Sequence, residues 1–229
     1  MTPGLDAHTG TRLALQAVAE HLLAADLHRH TGRIGLRVTP GGFGQPELTV
    51  DGERRRLRVE GTALVVLRGD TESWHPLRTL GSAAAVAGVE PGAPTEVFTP
   101  GTPLAPDDPL ELDEEAAEAT AGWFSLVGTA LDALRRANAR RAPTIAQLWP
   151  EHFDLAATIS EVNFGGSPGD AAHPAPYLYV GPWEQLEGAF WNAPFGARLP
   201  ASDVGGPDDA LAFFTEGLAA ATARDRAAT

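Results

Sequence analysis

The stretch Leu48-Thr49-Val50-Asp51-Gly52-Glu53-Arg54-Arg55-Arg56-Leu57-Arg58-Val59-Glu60-Gly61 decides the fold class. Asp-Gly supplies the positive φ angles that a two-residue hairpin turn demands, so residues 48–50 and 57–59 must fold back on one another. Glu60-Gly61 introduces a further extended run at residues 63–67. Upstream, Ile34, Leu36 and Val38 alternate with Arg33, Arg37 and Thr39, which is the pattern of a strand with one buried face. Gly41, Gly42 and Gly44 read as a loosening of the chain between the two. The expectation is an antiparallel meander.

Helical patterns flank this meander. Leu15, Val18 and Leu22, with Leu23 and Leu27 on a neighbouring line, recur at helical spacing over residues 11–30. His21 and His28 lie seven apart on that helix, with Glu20 beside the first, and read equally as lone surface histidines or as a site. A short helix is predicted over residues 77–87, stopped by Gly88. Six prolines between residues 89 and 112 lack the amide donor that helices and ladders need, so this segment reads as a connector. Beyond it, Asp113, Glu114 and Glu115 suit a helix N-terminus, and Arg135, Arg136, Arg140 and Arg141 suit its C-terminus. Trp123, Leu126, Val127, Ala130, Leu131 and Leu134 form the apolar stripe between them. A last helix is predicted over residues 207–223. The order helix, strands, helix, strands, helix predicts an α+β fold with antiparallel sheets. The organisation is either one compact unit over 1–229 or two packed halves, 1–88 and 113–229, joined by 89–112.

Composition closes off many chemistries. All seventeen basic residues are Arg, so no lysine can form a Schiff base or a phosphate-loop contact. The absence of Cys removes disulfides, thiolate metal sites and thiol nucleophiles. A formal charge of −13 argues against nucleic acid as a partner. That charge is uneven: residues 1–88 are nearly neutral, and the acidity belongs to the remainder. Residues 1–10 lack a basic start followed by an apolar run, and uncharged stretches such as 119–131 are too short to span a bilayer. A soluble cytoplasmic protein with no membrane partner is expected.

Nine of the sixteen aromatic residues fall between Trp149 and Phe195. Within that region Phe153, Leu155 and Ile159 share one parity of an extended segment and His152, Asp154 and Thr158 the other. The parity shifts to Val162 and Phe164, which requires a bulge or a turn near Ser160-Glu161. Tyr177, Leu178, Tyr179 and Val180 form another strand. His152, Asp154, Asp170 and His173 are the residue types that ligate a divalent metal, although no recognised ligand spacing is present. Ser167 with His152 and Asp154 has the composition of a hydrolase triad without the Gly-x-Ser-x-Gly elbow that exposes the nucleophile. Trp149, Tyr177, Tyr179, Trp183, Phe190 and Trp191 could line a pocket or fill a core, with Asp154, Asn163, Asp170 and Asn192 as polar partners. Arg54, Arg55, Arg56 and Arg58 form a basic stripe that reads first as a solvated strand face and otherwise as suited to an anion, an acidic partner or the chain's own acidic part.

The segments Gln147-Leu148-Trp149-Pro150-Glu151-His152-Phe153-Asp154-Leu155-Ala156, Ser167-Pro168-Gly169-Asp170, Pro176-Tyr177-Leu178-Tyr179-Val180-Gly181-Pro182-Trp183 and Phe190-Trp191-Asn192-Ala193-Pro194-Phe195-Gly196 resemble a group of actinobacterial proteins. Thr31-Gly32-Arg33-Ile34-Gly35-Leu36-Arg37 belongs to the same resemblance, which agrees with the Lys-free composition of a GC-rich genome. It carries no activity, cofactor or catalytic residue with it.

Three functional expectations follow. In the first, the protein binds a small molecule at an aromatic-lined site within 149–191, contacted by Trp149, His152, Asp154, Asn163, Asp170, His173, Tyr177, Tyr179, Trp183 and Trp191. The second is a divalent-metal-dependent enzyme using His152, Asp154, Asp170 and His173. The third is a noncatalytic module that meets a protein partner through the Arg-rich hairpin or the connector.

Overall fold

The computed structural model describes residues 4–227; residues 1–3, which open the N-terminal stretch read above, and 228–229 lie outside it. The architecture is α+β, with helices at the N-terminus, centre and C-terminus and two antiparallel sheets. The chain divides into two compact units, Met1–Gly122 with Leu148–Phe153, and Trp123–Gln147 with Asp154–Thr229. The division falls inside the central helix, and the Pro-rich segment belongs wholly to the first unit.

In the first unit, α1 (Leu5–Val18) runs through a π-helical turn (Ala19–Ala24) into α2 (Ala25–Thr31), which stops at Gly32 in the left-handed conformation, φ 69°. The sheet comprises β1 (Arg37–Thr39), β2 (Gly42–Gly44), β3 (Leu48–Val50), β4 (Glu53–Glu60), β5 (Ala63–Arg68) and β6 (Thr71–Pro76). Its order is β1-β2-β4-β5-β6, with β3 pairing on β4. Asp51 and Gly52 take φ values of 52° and 84°, so Val50 faces Glu53 across the expected two-residue turn; residues 48–50 therefore pair with 53–55 and not, as expected, with 57–59, which lie between β2 and β5. The glycine segment is no loosening of the chain. Gly42–Gly44 is a buried strand, and Gly42 lies opposite Glu60 and Gly44 opposite Arg58.

Leu57 pairs with Val66 and Val59 with Leu64, giving one buried face worth roughly 1.5–3 kcal/mol per side chain removed from water. Gln45 Nε2 ties this unit's helix to its sheet by donating to Leu23 O and Asp26 Oδ2, both at 2.9 Å. Arg55 adds an ion pair to the buried Asp26 at 3.0 Å. Val65 and Leu67, on the other face, are buried as well. Arg58 and Arg56 stand directly opposite them in the register and supply alkyl stems as cover. The basic stripe is neutralised from its own neighbourhood: Arg54 by Glu47 and Asp70, Arg56 by Glu72, and Arg58 by Glu60 and Glu72. None of these acids comes from the acidic part of the chain. α3 (Leu80–Ala87) follows a reciprocal cap between Thr79 and Ser82.

Residues 89–112 have no regular structure but are firmly held. Glu20, fully buried, accepts the amides of Gly101 (2.6 Å) and Thr102 (3.0 Å) and the Thr102 hydroxyl. His21 is buried too, contrary to its reading as a surface residue: its Nδ1 accepts from Ala93 N (3.2 Å), which leaves Nε2 to donate to Thr102 O (2.9 Å). His28 is partly exposed and lies 3.4 Å from Glu96. Thr11 Oγ1 accepts from Asp113 N (2.9 Å), and Asp113 in turn caps α4 (Glu114–Ala137) through Ala116 N (2.9 Å).

The second unit takes α4 from Trp123 onward, the strands β8 (Asp154–Ile159), β9 (Val162–Ser167), β10 (Tyr177–Pro182) and β11 (Ala197–Pro200), and α5 (Pro207–Ala227). β7 (Gln147–Trp149) precedes them at the passage between units, and the sheet order is β11-β10-β9-β8-β7. Ser160 and Glu161 both have positive φ, 51° and 63°, and Ile159 faces Val162. The parity shift is therefore a two-residue turn. One sheet face, with Leu155, Ile159, Phe164, Leu178 and Val180, packs under this unit's helices: Val127 of α4 lies against Gly166, and Phe214 of α5 meets Phe164 edge-on at 6.0 Å.

Replacing Glu20 with Ala strands the amides of Gly101 and Thr102, an expected loss of about 2–3 kcal/mol of unfolding free energy, measured by denaturant titration. Limited proteolysis should then cut within residues 89–112 faster than in the parent; equal cutting rates would show that the connector is held by other means.

Candidate functional site

The sheet of the second unit has a second face, opposite its helices. By register it carries Asp154, Ala156 and Thr158 of β8, Asn163, Gly165 and Ser167 of β9, Tyr177 and Tyr179 of β10, and Arg198 of β11. This is the polar parity predicted from the sequence, with one correction. His152 is not on the strand: Phe153 sits at φ 48° in a turn whose amide bonds to Pro150 O (3.2 Å), and β8 begins only at Asp154. His152 is exposed and, with Trp149, belongs to the first unit, whereas the other eight predicted contact residues belong to the second.

Two tyrosine–carboxylate pairs organise this face. Tyr179 reaches back across β9 and donates its hydroxyl to Asp154 Oδ2. It can do so because position 165 is glycine: a Cβ there would lie 2.6 Å from the Tyr179 ring and from Leu155 O. Tyr177 donates to Asp170 Oδ2 at 2.5 Å. Asp170 Oδ1 accepts the amides of Ala172 and His173, each at 2.7 Å, which fixes the loop between β9 and β10. The His173 ring meets Tyr177 edge-on at 5.6 Å, with Nδ1 3.7 Å from the Asp170 carboxylate. Asn163 Oδ1 accepts from Thr158 Oγ1 (2.8 Å) and from Trp183 Nε1 (3.3 Å).

Protonation states follow from these contacts. Burial pushes both phenols well above their ordinary value of 10.0, and the adjacent carboxylates, Asp170 for Tyr177 and Asp154 for Tyr179, push in the same direction. Burial also works to raise the Asp170 pKa, but the bonds from Tyr177 and the amides of His173 and Ala172 outweigh it and hold the carboxyl below its ordinary 3.8. At neutral pH the tyrosines are hydrogen-bond donors and not phenolate bases.

Next to this face, residues 182–196 fold into a loop that encloses a groove of about 450 Å³. Trp183, Trp191 and Phe195 line it together with Gln185 and Glu187. Trp183 is 65% exposed and Phe195 41%, unusual for rings of this size. Phe195 stands at the tip of a tight turn closed by Ala193 and Gly196, whose amides and carbonyls bond to each other at 2.9 and 3.0 Å. Gly196, at φ 132°, tolerates no side chain, since a Cβ would fall 2.2 Å from Val180 O. The Phe195 ring then contacts both Tyr177 (6.3 Å) and Tyr179 (6.4 Å), so the tyrosine pairs support one wall of the groove. Trp191 is set by an edge contact with Phe190 at 4.9 Å.

The predicted contact residues therefore separate into groups. Asp154 with Tyr179, Asp170 with Tyr177 and His173, and Asn163 with Trp183 come together, and Trp183 and Trp191 face the groove. Of the four candidate metal ligands, Asp170 and His173 meet, and among the described residues no three His, Asp or Glu side chains are grouped to hold a metal ion. Ser167 is buried, and its hydroxyl bonds to the Gly169 backbone, so it does not form a triad with His152 and Asp154. Phe195, Gln185, Glu187 and Arg198 were missed; the Pro194-Phe195-Gly196 turn was the available signal for the first. Family models, curated proteins and solved structures give no match to this chain. No helix among the described residues is long and apolar enough to cross a membrane.

Tyr177 and Tyr179 are the chain's two tyrosines, so tyrosinate absorbance reports on this cluster alone. Below pH 10 both phenols are protonated whether the chain is folded or not; above it the unfolded chain loses protons first, so stability must fall as pH rises. Phenolate should be lacking at pH 10 in the folded protein, and Tyr177→Phe or Tyr179→Phe should flatten the alkaline loss of stability. Phenolate appearing at the ordinary value would contradict the buried pairing.

Asp170 acts in the opposite window, contributing stability above its ordinary 3.8 that is lost as pH falls through the lowered folded value. An Asp170→Asn variant should unfold earlier than the parent at neutral pH, and the gap should close in acid. A gap independent of pH would mean that the carboxylate charge is not what fixes the loop.

Proposed function

We propose that the protein is a small-molecule binder whose site is the groove of residues 182–196, with Trp183, Trp191 and Phe195 as walls. One observation carries the reading: large aromatic rings are held at the rim of a concave space instead of being buried in the core. A volume near 450 Å³ is that of a site for a compact organic molecule. Three supports also argue for preorganisation, namely the Trp183–Asn163 bond, the Trp191–Phe190 edge contact and the stacking of Phe195 on Tyr177. Asp154, Asp170 and His173 act through the tyrosines and the loop, positioning the wall and leaving direct polar contact to Gln185 and Glu187. The walls bind by ring faces and shape, without a covalent step.

The test is a chemically diverse panel of small molecules scored by tryptophan emission and thermal midpoint. A binder should quench emission in the parent and in Trp74→Phe, which alters an exposed ring of the first unit, but lose most of its effect in Trp183→Phe and Trp191→Phe. A panel that changes neither emission nor midpoint would sink the reading, as would a ligand whose effect survives in the double variant.

A further inference from the structure

The charge around the groove restricts what it can hold. Glu187 is the charged residue among its lining side chains, and Glu184 lies on the same loop. Across residues 154–198 the carboxylates are Asp154, Glu161, Asp170, Glu184 and Glu187, set against the single Arg198. An anionic ligand would therefore enter a negative field with no lining cation to receive it. A neutral polyhydroxylated ligand needs several matched donors and acceptors, and the lining offers one side-chain amide, Gln185, because the two neighbouring asparagines are already engaged. Asn192 gives its Nδ2 to Arg198 O (3.0 Å) and its Oδ1 to Arg198 N (2.8 Å). Asn163 Oδ1 holds Thr158 and Trp183.

An aromatic wall has a complementary preference. The faces of indole and phenyl rings carry the negative part of the ring quadrupole and attract a cation that has been stripped of water. The same sheet already uses this interaction, because the Arg198 guanidinium lies over the Tyr177 ring at 5.9 Å from its centroid. Arg198 is outside the groove lining, with its guanidinium over that ring. The groove repeats the chemistry with Trp183, Trp191 and Phe195 and has no cation of its own.

Resting on the reading of the groove as a ligand site, we infer that its ligand is a small organic cation, an alkylated ammonium. The alkyl shell packs against Trp183, Trp191 and Phe195, and Glu187 is the counter-charge. An alkylated ammonium suits the site better than a bare one, since it presents apolar surface to the rings and loses less hydration on entry.

The experiment titrates the full chain with choline, with its uncharged isostere in which carbon replaces nitrogen, and with acetate, following indole N–H resonances and binding heat. Choline should shift the Trp183 and Trp191 signals but not that of Trp74, and should bind about tenfold more tightly than the isostere. Glu187→Gln, a change at the exposed rim that leaves the fold intact, should weaken choline by roughly threefold or more and leave the isostere unchanged. High salt should erode the choline preference. Equal binding of choline and isostere, or tighter binding of acetate, overturns the cation assignment while leaving the groove as a site. Loss of the Glu187 effect removes it as counter-charge and overturns the assignment as stated. Failure of all three probes overturns it too, and the groove itself falls only if the diverse panel also fails.

Discussion

The turn at Ser160-Glu161 sets the constraint on which the second unit depends. Two consecutive residues in the left-handed region return the chain so that Ile159 meets Val162, and every later pair follows from that register. Ala157 then faces Phe164, and Leu155 faces Gly166, on the side covered by helices. Asp154, Thr158 and Asn163 are directed to the opposite side, where Tyr177 and Tyr179 arrive on the next strand. Neither residue is glycine, so the conformation carries a cost of about a kcal/mol or more that the sheet must offset. A one-residue slip would turn Asp154 into the core and the aliphatic set into water. The groove walls depend on this register, since Phe195 rests on the tyrosines it presents.

The first unit solves a related problem with different chemistry. Its sheet buries side chains on both faces, and Gln45 ties the N-terminal helix to it. On the other face Arg58 and Arg56 stand beside Val65 and Leu67 in the register, and their charged ends are held by Glu60 and Glu72. The basic stripe is thus paired with carboxylates of its own sheet and its flanking turns. Trp74, 54% exposed, extends it, with the Arg58 guanidinium 6.0 Å from its ring centre.

What could be read from the sequence was whatever local chemistry determines. Asp51-Gly52 specifies its turn by itself, and the acidic start and Arg135-Arg136 mark the limits of α4, although Arg140 and Arg141, expected at its end, lie in a separate turn beyond Ala137. Strand β6 was overlooked because its edge residues Glu72, Ser73 and His75 blur the alternation, although Gly69-Asp70 marks the turn before it. The strand Gly42–Gly44 has too little side chain to show any pattern. At the candidate site the residue types were legible, but their pairing was not. Tyr179 finds Asp154 across an intervening strand, a contact set by β-register and by the missing Cβ at Gly165. The groove emerged from a turn that swings Phe195 onto the tyrosines, and the sequence placed His152 with the strand only because the left-handed Phe153 could not be foreseen.

The π-helical turn between α1 and α2 has a geometric consequence of its own. It accommodates one more residue than an α-turn, so everything before it is rotated about 100° relative to everything after it along a single continuous rod. On the early side, Arg12 and Gln16 begin a buried ladder of hydrogen bonds at four-residue spacing that runs to Glu20, in the first part of the π-turn itself, and ends on the Pro-rich segment. On the late side, Asp26 is aimed at Gln45 and Arg55 of the sheet. One helix thus serves two clients in different directions. The extra residue works as a phase shifter, allowing a single hydrophobic rod to grip a loop with one azimuth and a sheet with another.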